Sequence, residues 1–311
     1  MNRRRIGNSS LEVSVIGLGC NNFGMRIDER QTCAVVDAAL DAGINFFDTA
    51  DVYGRGASEE FLGRALGANR SKAVVATKFG STPKGGDERG GSRAYITAAV
   101  ESSLRRLGTD RIDLLQMHRP DPGTPIEETL DTLDDLVRQG KVREIGSSNF
   151  SVAQIEAAER AAGDRSRFVS AQNRLSLLEQ GAAEEVLPVC ERLDIGFLPY
   201  FPLASGMLSG KYGRGEPPPP GTRLAASPAS AEAALTEERF HQVEALTAYA
   251  GDRGRTLLEL AFAWLLAHRV IPSVIAGATT PEQVRANAAT ADWRLPPEEV
   301  EEVGRLGLGT A

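Results

Sequence analysis

Strand-like and helix-like segments alternate eight times along this chain, and this alternation constrains the fold more than any other feature. Each short apolar run precedes a longer amphipathic segment, the pattern of a parallel sheet with connecting helices. The predicted strands are Val15–Leu18, Asn45–Asp48, Ala73–Lys78, Ile112–Met117, Val142–Ser147, Phe168–Ala171, Ile195–Pro199 and Val270–Ala276. The predicted helices are Glu29–Ala42, Ser58–Leu66, Arg93–Leu107, Pro125–Gln139, Val152–Ala162, Ala182–Leu193, Leu257–His268 and Glu282–Ala289. Eight such units predict an α/β fold, a single (β/α)8 TIM barrel over residues 1–311.

The main alternative fold is an open, doubly wound sheet, which usually has fewer strands and a glycine-rich fingerprint after the first strand. Gly17-Leu18-Gly19 resembles the start of that fingerprint, but Asn22 stands where the third glycine is required. A phosphate loop is not predicted at residues 206–211 either, because the spacing is one residue short and Tyr212 replaces the Ser or Thr. The barrel is therefore the better prediction.

Segments outside the eight units are predicted to lie at the two ends of the barrel. Residues 5–14 form a predicted β-hairpin that plugs the bottom. Two insertions, Gly80–Ser92 and Leu208–Thr236, follow strands and so should be long loops at the C-terminal face, where barrel loops build active sites. For the second insertion, a plain surface loop is an equally good interpretation. A last helix is predicted over Pro297–Leu306.

The composition indicates a soluble, cytoplasmic protein. A net charge of −7 argues against nucleic acid or a membrane surface as a partner. Three scattered cysteines, Cys20, Cys33 and Cys190, are too few for a disulfide framework and favour a reducing compartment. No apolar run is long enough for a signal peptide or a membrane span. With three histidines and no metal-binding motif, no metal site is expected.

Four polar side chains follow, or end, three successive predicted strands. Asp48 and Lys78 end their strands, His118 follows the next, and Tyr53 lies in the loop after Asp48. In a barrel of this kind, catalytic groups gather at the C-terminal ends of different strands. We therefore expect a carboxylate, a phenol, an ammonium and an imidazole to meet at one face.

These four groups together could protonate a carbonyl oxygen. Tyrosine ionises near pH 10 in water, so alone it is a poor proton donor. An adjacent ammonium, here Lys78, should lower the pKa of Tyr53, and Asp48 should hold that ammonium charged and in place. His118 could orient the carbonyl by hydrogen bonding. The matching nucleophile is hydride, which no side chain supplies, so the site predicts a nicotinamide cofactor.

The chain resembles the aldo-keto reductase family over nearly its whole length. The run Asp48-Thr49-Ala50-Asp51-Val52-Tyr53-Gly54, with Ser58-Glu59 after it, is similar to the family's Asp/Tyr motif. Lys78 and the run Leu114–Asp121, which contains His118, supply the other two members of the tetrad. The resemblance implies a (β/α)8 barrel that reduces carbonyl compounds.

The same resemblance implies where a nicotinamide cofactor binds. Ser148 and Asn149, in Gly146–Phe150, match the pair that holds the nicotinamide amide together with Gln172, and Tyr200 falls where an aromatic ring stacks on it. The remaining residues implied for the nicotinamide and diphosphate are Gly19, Cys20, Asn21, Asp48, Pro202, Leu203, Gly206, Leu208, Gly210 and Lys211.

Two helix starts carry N-cap signatures, Thr124 before Pro125 and Thr280 before Pro281. In the second, Gln283 is at the position of a reciprocal capping box. Free amides at that helix start suit a phosphate, although capping alone also explains the pattern. The resemblance implies that the adenosine end binds here, through Gly277, Ala278, Thr279, Gln283 and Asn287.

Departures from the family pattern affect the cofactor site and leave the tetrad intact. No Arg or Lys stands near Thr279, and Ala286 replaces a common glutamate. Leu175 and Phe201 replace a frequent tyrosine and a frequent serine. The resemblance still favours NADP(H) over NAD(H).

The sequence therefore predicts an NADP(H)-dependent reductase of aldehydes or ketones, with Tyr53 as the general acid. The alternatives are an NADP(H)-binding regulatory protein similar to channel β-subunits, and a barrel isomerase or hydrolase. The substrate is undefined, as is the oligomeric state. The residues predicted to contact the substrate are Asn22, Phe23, Met25, Tyr53, His118, Arg119 and those of the two insertions.

Overall fold

Eight parallel strands form one curled sheet in the computed structural model, which describes residues 1–81 and 90–310. Two backbone hydrogen bonds, Phe197 N to Val270 O at 2.8 Å and Ile275 N to Pro199 O at 3.3 Å, bring its two ends together. The predicted (β/α)8 barrel fold is thereby confirmed. The last strand of the chain lies next to the first of the sheet. The order across the sheet is β10 (Val274–Gly277), β3 (Ile16–Gly19), β4 (Phe46–Asp48), β5 (Val74–Phe79), β6 (Ile112–Met117), β7 (Val142–Ser148), β8 (Phe168–Gln172) and β9 (Gly196–Phe197).

The helices cover the outside of the sheet, and most begin close to where the apolar pattern predicts. They are α1 (Glu29–Asp41), α2 (Ala57–Leu66), α3 (Arg93–Leu107), α4 (Ile126–Arg138), α5 (Val152–Ala162), α6 (Gly181–Glu185), α7 (Leu187–Leu193), α8 (Pro228–Ala234), α9 (Glu237–Gly251), α10 (Leu257–Ala267), α11 (Pro281–Ala289) and α12 (Pro297–Leu308). Short 3₁₀ helices at Tyr53–Gly56 and Ala204–Ser209 follow strands β4 and β9.

Two helix predictions need correction, and two helices, α8 and α9, were not predicted. The predicted helix Ala182–Leu193 is broken between α6 and α7, because Pro188 has no N–H to continue the ladder. Thr124 is not an N-cap: α4 begins at Ile126, and the Thr124 hydroxyl donates to Asp121 at 2.7 Å. Helix α9 was not predicted, although Phe240, Val243 and Leu246 are buried at a spacing of three.

Alternating residues of the strands fill the inside and the outside of the barrel. Phe46, Val74 and Leu114 belong to a small inner cluster, whereas their neighbours Phe47, Val75 and Leu115 pack outward beneath the helices. This follows from the two-residue period of a strand. The core is therefore divided into two apolar layers.

The N-terminal hairpin closes the bottom of the barrel, as predicted. Its strands, β1 (Arg3–Arg5) and β2 (Glu12–Ser14), pair antiparallel, so the hairpin begins two residues earlier than expected. Ile6, Leu11 and Val13 are fully buried and join the inner cluster. The open end of the barrel is therefore the opposite one, where the strands end.

The two insertions have different outcomes. Of Gly80–Ser92, residues 82–89 lie outside the described part of the chain. In Leu208–Thr236, the segment 220–223 reaches the cavity at the strand ends. Within residues 1–81 and 90–310, no helix is long and apolar enough to cross a membrane.

Candidate active site

The four predicted catalytic side chains meet at the C-terminal end of the barrel. Asp48 is the last residue of β4, and Lys78 lies near the end of the neighbouring strand β5. His118 follows β6 and its backbone N–H donates to Phe79 O at 2.7 Å. Tyr53 starts the 3₁₀ helix after β4. Parallel strands end at the same edge, so their order alone brings these residues together.

Lys78 and Asp48 form a buried ion pair. Lys78 Nζ donates to Asp48 Oδ2 at 2.7 Å and to Thr49 O at 2.8 Å, and the lysine side chain is fully buried. The other carboxylate oxygen, Asp48 Oδ1, accepts from Gln172 Nε2 at 2.8 Å and from Gln116 Nε2 at 3.1 Å. Both charges are therefore compensated, as a buried pair requires. Gln116 was not predicted, because its strand position is indistinguishable from core.

The phenol of Tyr53 lies beside this ion pair. Lys78 Nζ is 5.1 Å from the centroid of the Tyr53 ring. Burial raises the pKa of Tyr53, and the charge of Lys78 acts against it without reversing the sign. The expectation of a net lowering was therefore wrong for the protein without cofactor. Burial also disfavours the Lys78 ammonium, but the charges of Asp48 and Tyr53 outweigh it and raise the pKa of Lys78.

His118 is a neutral imidazole beside the phenol. Its ring meets the Tyr53 ring edge-on, with centroids 5.9 Å apart. Burial, with smaller contributions from Lys78 and Arg119, lowers the pKa of His118 to about 3. Its Nδ1 has no hydrogen-bond partner among the described residues. At neutral pH the ring therefore keeps one N–H donor and one free acceptor.

A hydrogen-bonded group of polar residues extends from the tetrad to the next strands. Tyr200 donates to Asn149 Oδ1 at 2.7 Å, and Asn149 Nδ2 donates to His118 O at 2.9 Å. The Ser148 hydroxyl donates to Gln172 O at 3.0 Å. The side-chain amide of Gln172 is engaged by Asp48, so this residue links the predicted nicotinamide contacts to the tetrad.

One cavity of about 630 Å³ brings most of the predicted site residues together. Its walls include the predicted residues Gly19, Cys20, Asn21, Asn22, Asp48, Tyr53, His118, Arg119, Ser148, Asn149, Gln172, Tyr200, Pro202, Leu203, Gly206, Lys211, Gly277, Thr279, Gln283 and Asn287. Lys78 lies behind them, beneath Asp48 and Tyr53.

The remaining predicted residues do not line this cavity. Phe23 and Leu208 are fully buried in the core, and Ala278 is almost so. Met25 is 67% exposed. Gly210 ends the 3₁₀ helix Ala204–Ser209 in a left-handed conformation, which explains the glycine without a ligand.

The helix start at the adenosine end differs from the predicted capping box. Thr280 caps α11 by accepting from Gln283 N at 3.3 Å, as expected. However, Gln283 Oε1 accepts from Thr279 N at 2.8 Å and from the Thr279 hydroxyl at 3.1 Å, not from Thr280 N. Thr279, Gln283, Ala286 and Asn287 all line the cavity.

Several cavity residues were not predicted individually. Ser209, Pro220, Gly221, Thr222 and Arg223 belong to the second insertion, which was predicted only as a whole to reach the active face. Arg26, Ser205, Leu258, Ile275 and Ala276 were not predicted at all, and Phe201 and Ala286 were noted only as departures. Arg26 donates to Gly221 O, and Arg223 lies over the Phe201 ring at 5.0 Å. A basic residue in a loop after a barrel strand was the available signal for both arginines.

Arg26, Lys211 and Arg223 line the cavity and form a positively charged group that suits a phosphate. Burial, and then the charges of Arg26 and Arg223, lower the pKa of Lys211. None of the three makes a salt bridge within the described residues. A Cβ on Gly206 would lie 2.6 Å from Lys211 Nζ, so the glycine leaves room for the ammonium. The donor set therefore fits a dinucleotide with its diphosphate near Lys211.

Comparison with known proteins agrees with the geometry. The aldo/keto reductase family model matches residues 15–307. An oxidoreductase, YrpG, of Bacillus subtilis is 38% identical over 94% of this chain and 92% of its own length. A probable voltage-gated potassium channel subunit beta of Oryza sativa is 34% identical, over 97% of this chain and 95% of its own.

Solved structures show the same relationship. Aldo-keto reductase AKR11C1 from Bacillus halodurans, in its holo form, matches with a TM-score of 0.82 and 32% identity, over 100% of this chain and 97% of that one. Within the described residues, no cluster of His, Cys, Asp and Glu could hold a metal ion. The chain belongs to the aldo/keto reductase family.

Proposed function

We propose that this protein reduces an aldehyde or ketone to an alcohol with NADPH as the hydride donor. The observation that carries the proposal is the buried Lys78–Asp48 ion pair beside Tyr53, at the base of the cavity. The arrangement stabilises a phenolate as it forms, which is what a tyrosine general acid needs. Aldo-keto reductases in general reduce carbonyl compounds, which supports this interpretation.

Each tetrad residue has one task in the proposed reaction. A bound nicotinamide would supply the hydride that the carbonyl carbon needs. Tyr53 gives its phenolic proton to the carbonyl oxygen, so that C=O becomes CH–OH. Lys78 stabilises the resulting phenolate, and Asp48 keeps Lys78 charged and fixed. Neutral His118 donates its N–H to the carbonyl oxygen and so orients the substrate.

Three groups of residues would hold the cofactor. Ser148, Asn149 and Tyr200 would surround the nicotinamide. Arg26, Lys211 and Arg223 would face the diphosphate, and Thr279, Gln283 and Asn287 the adenosine end. We propose NADP(H) rather than NAD(H), because aldo-keto reductases generally use NADP(H).

The substitution Tyr53→Phe tests the mechanism. It removes the proton donor and keeps the ring, so we expect NADPH affinity within about threefold of wild type and a kcat at least about 100-fold lower. Steady-state NADPH oxidation with 4-nitrobenzaldehyde measures kcat, and NADPH fluorescence titration measures binding. Undiminished turnover by this variant would reject Tyr53 as the acid.

The alternative is a nucleotide-binding regulatory protein with little turnover. Relatives from Oryza sativa and Arabidopsis thaliana bear the name of a probable potassium channel subunit beta, which is consistent with it without favouring it. Tight NADPH binding with negligible reduction across a panel of aldehydes and ketones would support this alternative. Turnover above about 1 s⁻¹, within the usual enzyme range, would support the reductase.

A further inference from the structure

The cavity is positively charged although the chain carries a net charge of −7. Four basic side chains line it: Arg26, Arg119, Lys211 and Arg223. Asp48, the one acidic residue among its lining residues in the described chain, is already paired with Lys78. The site therefore attracts anions.

Three of these cations are close to one another. Arg26 and Arg223 both act on the pKa of Lys211, and Arg26 acts on that of Arg223, in each case after burial. Arg26 also holds the segment that leads to Arg223, through Gly221 O. In the proposed function, the phosphates of the cofactor account for this group.

Arg119 is not among the charges that act on Lys211 and Arg223. It directly follows His118, and its charge contributes to the lowered pKa of that imidazole and acts on the Tyr200 phenol. It is exposed to the cavity and forms no salt bridge within residues 1–81 and 90–310. The nearby carboxylate of Asp121 instead accepts from the N–H groups of Gly91 and Gly123.

We propose that Arg119 selects substrates that carry a carboxylate a few bonds from the carbonyl group. The inference rests on the proposed carbonyl reduction and names its substrate class. His118 and Arg119 line the same cavity, and the charge of Arg119 acts on both the His118 imidazole and the Tyr200 phenol, so a substrate held by His118 has a guanidinium nearby. A guanidinium binds a carboxylate through two parallel N–H donors, which an uncharged group cannot match.

The test compares two aldehydes of nearly equal shape, 4-carboxybenzaldehyde and 4-carbamoylbenzaldehyde. The measured quantity is the ratio of their kcat/KM values, in which differences in cofactor binding cancel. We expect wild type to prefer the carboxylate, and Arg119→Gln to lower the ratio about ten- to a hundredfold, mainly through KM. Arg119→Lys should restore part of the preference, and added NaCl should reduce it in wild type.

Arg214→Gln is the matched comparison, because it removes a cation of the second insertion that lies outside the cavity. We expect its ratio to stay within about threefold of wild type. Arg223→Gln tests the rival cation, because Arg223 lines the cavity and also interacts with Tyr53. Loss of preference in Arg223→Gln but not in Arg119→Gln would overturn the inference, as would a wild-type ratio that Arg119→Gln leaves unchanged. If wild type reduces neither aldehyde nor any neutral carbonyl, the proposed function fails and the inference with it. Reduction without carboxylate preference rejects the inference alone.

Discussion

Buried polar atoms at the base of the cavity are nearly all paired, so the exceptions are informative. Asp48 accepts from Lys78, Gln172 and Gln116, whereas Asn22 Oδ1, His118 Nδ1 and Asp51 Oδ1 have no hydrogen-bond partner in the described chain. Asn22 and His118 line the cavity. Asp51 does not line it, so its free oxygen represents an energetic cost within the fold.

We expect Asp51 to destabilise the folded protein as pH rises. Burial, and then the charge of Glu59, raise the pKa of Asp51 to about 7. Between about pH 4 and pH 7 the unfolded chain ionises here while the folded chain keeps the proton, so folding stability falls with rising pH. The asparagine of Asp51→Asn does not ionise, so this variant does not lose folding stability at this position as pH rises. Its stability relative to wild type should increase by about 2–3 kcal/mol from pH 5 to pH 8.

Urea unfolding of both proteins at the two pH values measures this difference. Glu60→Gln removes a half-exposed carboxylate from helix α2 and controls for the loss of one negative charge. Parallel pH dependence of wild type and Asp51→Asn would contradict the raised pKa of Asp51.

At the scale of elements, the insertion after the 3₁₀ helix Ala204–Ser209 contributes charge to the cavity. Arg223 lies over the Phe201 ring, and Arg174 lies over the same ring at 5.1 Å. Phe201 itself has a positive φ of 54°, an uncommon backbone conformation for an aromatic residue. The second insertion thus contacts Phe201, a few residues after strand β9, through the side chain of Arg223.

We expect Arg223→Gln to weaken NADPH binding about tenfold or more, because it removes a charged donor from the diphosphate side. Arg214→Gln is the matched control: it lies in the same insertion but pairs with Glu237 and Glu244, outside the cavity. NADPH fluorescence titrations of both variants give the comparison. Equal affinities for the two would show that Arg223 does not contact the cofactor.

Local periodicity explains why most elements could be predicted. The strand order and the tetrad followed from apolar runs that end in Asp48, Lys78 and His118, since parallel strands must end together. Helix breaks and caps were less predictable, because they depend on competing local hydrogen bonds such as that of Thr124 with Asp121. The short strand β9 was predicted longer than it is, because strand ends are set by the neighbouring strand.

The parts of the site that escaped prediction depend on contacts distant in sequence. Arg26 and Arg223 meet at the cavity because a loop after β3 touches an insertion almost 200 residues later, as the bond from Arg26 to Gly221 shows with its separation of 195. Gln116 lies inside a strand, where no local pattern separates a buried ligand of Asp48 from core. Such residues are identified by the folded path of the chain.

At the scale of the whole molecule, the hairpin closes one end of the barrel, so a ligand can bind only at the other end. Ile6, Leu11 and Val13 fill the bottom, and the cavity spans strand ends from β3 to β10. A ligand in that cavity contacts residues from distant parts of the sequence. Since it binds only the folded form, it should stabilise the entire domain.

We therefore expect NADPH to raise the unfolding temperature, and NADH to raise it less at equal concentration. At 100 times the dissociation constant, one ligand adds about 2.7 kcal/mol of stability, which for a chain of this size amounts to a rise of several degrees, about 5 °C. Differential scanning fluorimetry with each nucleotide measures the shift, and adenosine alone is the control that occupies only part of the cavity. Equal shifts with NADPH and NADH would contradict the proposed preference for the 2′-phosphate, and no shift with either would contradict nicotinamide binding itself.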